Sequence, residues 1–298
     1  MATATTHART LSRVVPDAIV FDVDGVLIDV RGSFLEAVKR TVQHVVIRET
    51  GIRDRGPLVD DALIATFKRA GGFNNDWDLA HALALWYVEA TPAADTVELR
   101  QRAGDPLAAA RVALRARASR VPHPSHDEVK ESMLELYWGS AEAERLFGVR
   151  PRLGMREPLL ASERVLLRPE TTNALLRLGV TRFGVLTGRL RIEWDAVCGR
   201  VPLPRDLVVA TDEDGRKPDP LLLRGIVQRL GARHPWYVGD VMDDWRLVAA
   251  YRERFGAGTA DAVLVVSDPT DERALRAAGA RRFIRDVNEL PGALSHEG

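Results

Sequence analysis

Short apolar runs that stop on an acid, a hydroxyl or a glycine recur along this chain, separated by longer stretches with apolar residues every third or fourth position. Ala18-Ile19-Val20-Phe21, halted by Asp22, is the first such run and has the form of a strand buried on both faces of a parallel sheet. The same grammar returns at 181–186, 206–210, 236–238 and 262–266, and 281–284 adds a short last strand. Helical patterns fill the gaps at 170–178, 190–197, 220–230 and 244–255. Leu178-Gly179, Leu230-Gly231 and Phe255-Gly256 read as helix stops. Strands alternating with helices of this length predict an α/β fold with a doubly wound, Rossmann-like parallel sheet.

The interval 31–165 carries another pattern. Phe34, Leu35, Val38, Val42, Val45 and Val46 share one face of a helix over 34–50, and 60–70, 76–89, 106–118 and 126–138 also have helical periodicity. No strand is expected there. An all-helical insertion of about 135 residues is too long for a loop and has to be a structured module. Because it falls between the first strand and the second, it should cover the end of the sheet as a lid. The stretch 91–105, rich in Ala, Pro and Thr, is its expected flexible segment. The resulting division is a tail at 1–16, an α/β core at 17–30 and 166–298, and an inserted all-helical cap domain at 31–165.

Composition narrows the partners. Lys plus Arg and Asp plus Glu each number 42, so no net field favours nucleic acid or an anionic membrane, and any anion site has to be local. The chain has no run of about 18 apolar residues that would span a bilayer. The lone cysteine, Cys198, excludes an intrachain disulfide and fits a reducing, cytoplasmic setting. Residues 1–15 have basic residues and hydroxyls but no acids, as a transit peptide does, lack the apolar region of a secretory signal, and are expected to form a short, loose tail.

Four separated segments end on residue types that phosphoryl transfer needs. They are Asp22 and Asp24 within Phe21-Asp22-Val23-Asp24-Gly25-Val26, then Thr187 with Gly188 and Arg189, then Lys217 opening Lys217-Pro218-Asp219-Pro220, and finally Asp240 and Asp244 after Gly239. Each follows a predicted strand, and doubly wound sheets bind ligands outside the carboxyl ends of their strands. Carboxylates gathered there repel one another unless a cation intervenes, and an oxygen-only set without His or Cys favours Mg²⁺. Lys217 supplies fixed positive charge and Thr187 a hydroxyl to phosphoryl oxygens. Gly25 lets the backbone turn sharply after the strand. Singly, each residue has an ordinary explanation: Asp22 as a helix cap, Asp24-Gly25 as a turn, Lys217 as a solvated loop residue. The order of all four is what carries the reading.

That ordered set resembles the four motifs of the haloacid dehalogenase superfamily, in its phosphatase-type branch with an inserted helical cap, similar to phosphoglycolate phosphatases and β-phosphoglucomutases. The resemblance implies that Asp22 is the nucleophile and that Asp24 protonates the leaving alkoxide and then deprotonates water. It implies that Asp22, the Asp24 carbonyl and Asp240 hold Mg²⁺, with Asp244 as a further ligand or partner and Asp243 competing for that role. An acid two positions after the nucleophile is the mark of phosphatases and phosphomutases rather than of true dehalogenases. The expected activity is a Mg²⁺-dependent hydrolase of a small phosphorylated metabolite, a phosphomonoester, acting through an aspartyl-phosphate. A phosphomutase of the β-phosphoglucomutase type and a non-catalytic binding protein on the same fold are the alternatives.

In the insertion, the segment 71–78 offers Asn75 and Trp77 to a substrate leaving group. The competing reading has Asp76 or Asp78 capping the next helix, with Phe73 and Trp77 packed inside the lid. Arg189 is expected to touch substrate or phosphate. Lys68 and Arg69 read as a solvated helix face, His123 and His126 as loop histidines, and Trp77, Trp86 and Trp138 as core. The lid and the sheet edges leave room for a homodimer.

Overall fold

The computed structural model describes residues 16–70, 73, 75–90, 92–106, 108–109 and 124–295. From β1 (Ala18–Phe21) the chain turns into β2 (Ile28–Asp29). It then runs through α1 (Phe34–Thr50), α2 (Asp61–Ala70), α3 (Asp76–Glu89), α4 (Thr96–Arg102), α5 (His126–Trp138) and α6 (Ser140–Phe147). After β3 (Arg164–Val165) it alternates α7 (Pro169–Arg177), β4 (Phe183–Leu186), α8 (Arg191–Cys198), β5 (Val208–Ala210) and α9 (Pro220–Leu230). It ends with β6 (Pro235–Gly239), α10 (Met242–Phe255), β7 (Asp261–Val265), α11 (Pro269–Ala277), β8 (Arg282–Ile284) and α12 (Leu290–Ser295).

Six strands form one parallel sheet in the order β5-β4-β1-β6-β7-β8. β1 sits at the centre because Ala18, Ile19, Val20 and Phe21 are wholly buried, Ile19 and Phe21 against one face's core and Val20 against the other's. The chain leaves β1 toward β4 and β5, then returns past it to β6, β7 and β8. This reversal opens a crevice beside the carboxyl end of β1, where Asp22 lies. The doubly wound α/β expectation holds, and each expected strand is present.

Two expectations for the insertion do not hold. The stretch 91–105, expected to be flexible, contains α4, started by the Asp95 carboxylate, which accepts the Glu98 amide at 3.0 Å. The interval 31–165, expected to lack strands, ends in β3, which pairs antiparallel with β2 through Ile28–Val165 and Asp29–Arg164. This two-stranded joint closes the insertion at its base. The expected helix at 106–118 and the tail at 1–15 lie wholly or largely outside the described residues.

The insertion has its own core, in which Val38, Val42 and Val45 of α1 meet Leu79 and Leu83 of α3. Its base does not separate cleanly from the sheet, however. Phe34, Leu134, Tyr137 and Trp138 belong to the same apolar cluster as Phe21, Phe183 and Val238. Among the described residues no helix is long and apolar enough to cross a membrane.

Candidate active site

The Asp22 amide continues the β1–β6 pairing by donating to the Val238 carbonyl at 2.8 Å. The chain then coils on itself, with the amides of Leu27 and Ile28 both donating to the Val23 carbonyl. Gly25 occupies the left-handed region at φ +76°, and a Cβ there would stand 2.1 Å from Asp240 Oδ2. Only glycine allows the first acidic loop to approach the last so closely. Gly239 is required in the same way, since a Cβ on it would lie 2.4 Å from the Asp244 side chain.

Lys217 enters from the loop after β5 with its side chain almost fully buried. Its Nζ lies 2.8 Å from Asp22 Oδ1 and 2.8 Å from Asp244 Oδ1. Burial works against its charge, but the two carboxylates outweigh this and hold its pKa well above that of an ordinary lysine. Burial pushes Asp22 up to about 7, Lys217 opposes the shift, and Asp244 and Asp24 add to it. Asp240 is driven well above the carboxylate range by burial and by the charges of Asp244 and Asp22. One oxygen each from Asp22, Asp240 and Asp244 lie within 4.8 Å of one another, so the group can hold a metal ion.

Asp244 has a second occupation. Its Oδ1 accepts from Lys217 and from the Tyr237 hydroxyl at 2.8 Å, and its Oδ2 accepts the amides of Asp240 at 3.0 Å and Val241 at 3.1 Å. Four donors on one carboxylate fix the loop that presents Asp240. Asp243 turns the other way, to Arg246 Nη1 at 3.0 Å, so the register of this acidic pair puts Asp244 at the site.

Thr187 follows β4 and is buried, and its hydroxyl oxygen accepts the Arg189 amide at 3.1 Å. Gly188 and Arg189, rather than Thr187, form the wall there. The expectation that Arg189 reaches substrate or phosphate meets a different geometry. Its side chain is fully buried, with Nε 2.7 Å from Asp24 Oδ1 and its other nitrogens on Glu163 and the Tyr137 hydroxyl. A guanidinium bonded in this way has been taken up before any ligand arrives.

Above these residues lies a cavity of about 490 Å³, floored by Asp22, Asp24, Lys217 and Asp240 and roofed from the insertion by Lys68, Asn75 and Trp77. The Asn75 side-chain oxygen caps α3, accepting the amides of Trp77 at 3.0 Å and Asp78 at 3.1 Å. The cap is therefore neither Asp76 nor Asp78. Phe73 is buried against Phe67, while Trp77 is half-buried beneath Lys130. Gly71, Gly72 and Asn74 lie outside the described residues. Lys68, read from sequence as part of a solvated face, instead looks into the cavity and pairs with Asp76 at 3.1 Å. Burial would lower its pKa, but Asp76, with Asp240 and Asp24 beyond it, raises it overall. Its helix ends beside the expected substrate segment, which was the one signal available in the sequence. Glu163, Tyr137 and Tyr237 left no such signal. His126 pairs with Asp78 at 3.0 Å, and His123 is outside the described residues.

A haloacid dehalogenase-like hydrolase family model matches residues 16–279. Among solved structures, the phosphatase Tt82 from Thermococcus thioreducens is similar at 25% identity and TM-score 0.62, over 94% of this chain and 99% of that one. A putative phosphoglycolate phosphatase from Lactobacillus delbrueckii subsp. bulgaricus is similar at 18% identity and TM-score 0.57, with the same two coverages. A predicted phosphoglycolate phosphatase from Haemophilus somnus follows at 13% identity and TM-score 0.51, over 94% and 98%. At those last two identities the likeness is one of fold. No curated protein matches the chain significantly.

Proposed function

The chain belongs to the haloacid dehalogenase-like hydrolases, and from that premise we propose that it is a cytoplasmic Mg²⁺-dependent phosphatase that hydrolyses a small phosphomonoester through an aspartyl-phosphate. The observation that carries the reading is the buried Lys217 ammonium bridging Asp22 and Asp244, with Asp240 alongside and Asp24 across the same cavity. A binding module has no use for a nucleophile held in line by a cation and faced by a second acid. The likeness to the Thermococcus phosphatase points the same way.

Asp22 attacks phosphorus as the P–O bond to the leaving group breaks, and Asp24 gives its proton to the departing alkoxide. Asp24 then takes a proton from water as that water attacks the aspartyl-phosphate, returning Asp22 as a carboxylate and releasing phosphate. Lys217 holds Asp22 in position and offsets charge on the phosphoryl oxygens, joined by Gly188 from the cavity wall at the end of β4, with Thr187 buried directly behind it. Asp22, the Asp24 carbonyl and Asp240 would hold Mg²⁺, which supplies charge neutralisation to the phosphate. Asp240, half-buried among like charges and shifted toward protonation in their company, fits a cation. Asp244 serves this group by ordering Lys217 and the Asp240 loop. The helical insertion, 31–165, acts as the lid over a core of 17–30 and 166–298, with Lys68, Asn75 and Trp77 facing the leaving group.

The test is phosphate release across a panel of metabolite phosphoesters, with Mg²⁺ and with EDTA, for the wild type and Asp22→Asn. Metal-dependent release that falls to background in a folded Asp22→Asn protein is expected. Turnover retained by that variant removes Asp22 as nucleophile. Bisphosphate-dependent isomerisation without net release moves the assignment to a phosphomutase.

A further inference from the structure

We infer that Arg189 is a positioning residue that fixes the Asp24 carboxylate and ties it, through Glu163, to the hinge of the helical insertion. The inference rests on the reading of Asp24 as the acid and base of the reaction.

Arg189 presents two edges of its guanidinium to two carboxylates. Nε meets Asp24 Oδ1 at 2.7 Å, while Nη2 and Nη1 form a fork onto Glu163 Oε1 at 2.9 Å and Oε2 at 3.2 Å. Nη1 also meets the Tyr137 hydroxyl at 3.2 Å, and the Phe34 ring lies 5.1 Å from the guanidinium carbon. Glu163 in turn accepts from Ser33 Oγ at 2.9 Å and from the Tyr137 hydroxyl at 3.0 Å. Ser33 immediately precedes α1, Tyr137 is in the last turn of α5 and Glu163 immediately precedes β3. One buried carboxylate thus gathers both chain crossings of the insertion and one of its helices, and Arg189 carries that assembly to the catalytic loop.

Stability alone gives little reason for this arrangement. Burying a guanidinium and a carboxylate carries a large desolvation cost, and their attraction commonly does no more than recover it. What a fully bonded guanidinium provides is orientation, since its planar fork fixes two carboxylates at a set angle where a lysine would fix neither. Asp24 needs orientation more than other members of the site. Its side chain is 31% exposed to the cavity and has to deliver a proton along one direction to the leaving oxygen. With Oδ1 held by Arg189, Oδ2 is the oxygen available for that transfer. A shift of the hinge that moves Glu163 moves Arg189, and so Asp24 is correctly aimed only when the insertion is seated as in this structure.

The role predicts a selective defect. An alkoxide leaving group requires a proton, whereas p-nitrophenolate leaves without one. The experiment compares kcat for β-glycerophosphate and p-nitrophenyl phosphate in wild type, Asp24→Asn, Arg189→Met, Glu163→Gln and the double variant Arg189→Met/Glu163→Gln, with folding checked by circular dichroism. Arg189→Met should lower kcat on the alkyl ester by about 30- to 100-fold, approaching the range for loss of a general acid. On the aryl ester the loss should stay below about fivefold, with KM little changed for either. The double variant, which leaves no unpaired buried charge, should share the selectivity. Glu163→Gln changes almost no volume and keeps the Arg189–Asp24 bond, so it should show a smaller loss of the same kind. Equal losses on both esters in the folded variants would reduce Arg189 to a structural residue and overturn the inference. A selective loss in Asp24→Asn without one in the Arg189 variants overturns it while leaving the proposed function in place. Absence of selectivity in Asp24→Asn itself defeats both.

Discussion

Glu193 lies in the first turn of α8, buried, with one oxygen accepting the Leu190 amide at 2.8 Å and the other without a partner among the described residues. Burial pushes its pKa up to about 8; the Leu190 amide and Arg189 oppose this, and Asp24 and Glu163 reinforce it. An unfolded chain releases that proton near 4.5. Between those values the native state holds a proton that the unfolded state has lost, so stability falls as pH rises through the window and levels off above it. Glu193→Gln keeps the acceptor for Leu190 and removes the titration. The variant's Tm should match the wild type near pH 5 and exceed it by several degrees at pH 8 to 9, measured by thermal unfolding at unit steps of pH. Tm curves that stay parallel would show Glu193 ionising in the native state as it does in the unfolded one. The same neighbourhood marks where sequence reading stopped. Asp22, Asp24, Lys217 and Asp240 were legible because each follows a strand and the four stand in one order along the chain, although each alone has an ordinary explanation. The buried direction of Arg189 was not legible, because its partners Glu163 and Tyr137 come from parts of the insertion with no motif of their own.

Elements were legible in proportion to how much apolar pattern they carry. α1, α3 and α5 emerged with their observed limits because seventeen, fourteen and thirteen residues give several turns of periodicity. α11 buries only Leu275, and α12 has six residues, so neither leaves a readable stripe. β2 and β3, two residues each, exist because they pair with each other, a long-range fact that no local window contains. The start of α3 joins this structural question to a functional one, since Asn75 both caps the helix and lines the cavity. Asn75→Ala should cost about 1 kcal/mol of stability, the usual loss for an N-cap. Asn75→Asp keeps the capping oxygens and should restore it. If the amide group of Asn75 also faces the leaving group, KM for the substrate found in the panel should rise about three- to tenfold in both variants. Full recovery of KM in Asn75→Asp would leave Asn75 with the helix cap alone.

Across the whole molecule, the helical insertion meets the core through two kinds of contact with different costs. At the base the contacts are buried: the β2–β3 pair, the Glu163–Arg189 fork and the apolar cluster around Phe34 and Tyr137. At the mouth they are wet ion pairs, Arg69 Nη1 to Asp271 at 3.1 Å and Arg216 to Asp78 at 3.7 Å. Exposed pairs of this kind contribute about 0–1 kcal/mol each and are screened by salt. If the insertion acts as the proposed lid, being fixed at its base and lightly held at its rim lets it open for substrate without unfolding either side. Asp271→Asn removes one rim pair from a residue a third exposed on α11, which lines the cavity but has no place in the proposed chemistry. Its Tm should stay within about 2 °C of the wild type, as expected for a surface substitution. KM at low salt should rise by up to about fivefold, the equivalent of 1 kcal/mol, with kcat nearly unchanged. In 1 M NaCl, where the Debye length is about 3 Å, the wild-type KM should climb to meet that of the variant. A KM that is identical for the two proteins at low salt would show that the rim pair takes no part in closure, and that the buried base alone sets the position of the lid.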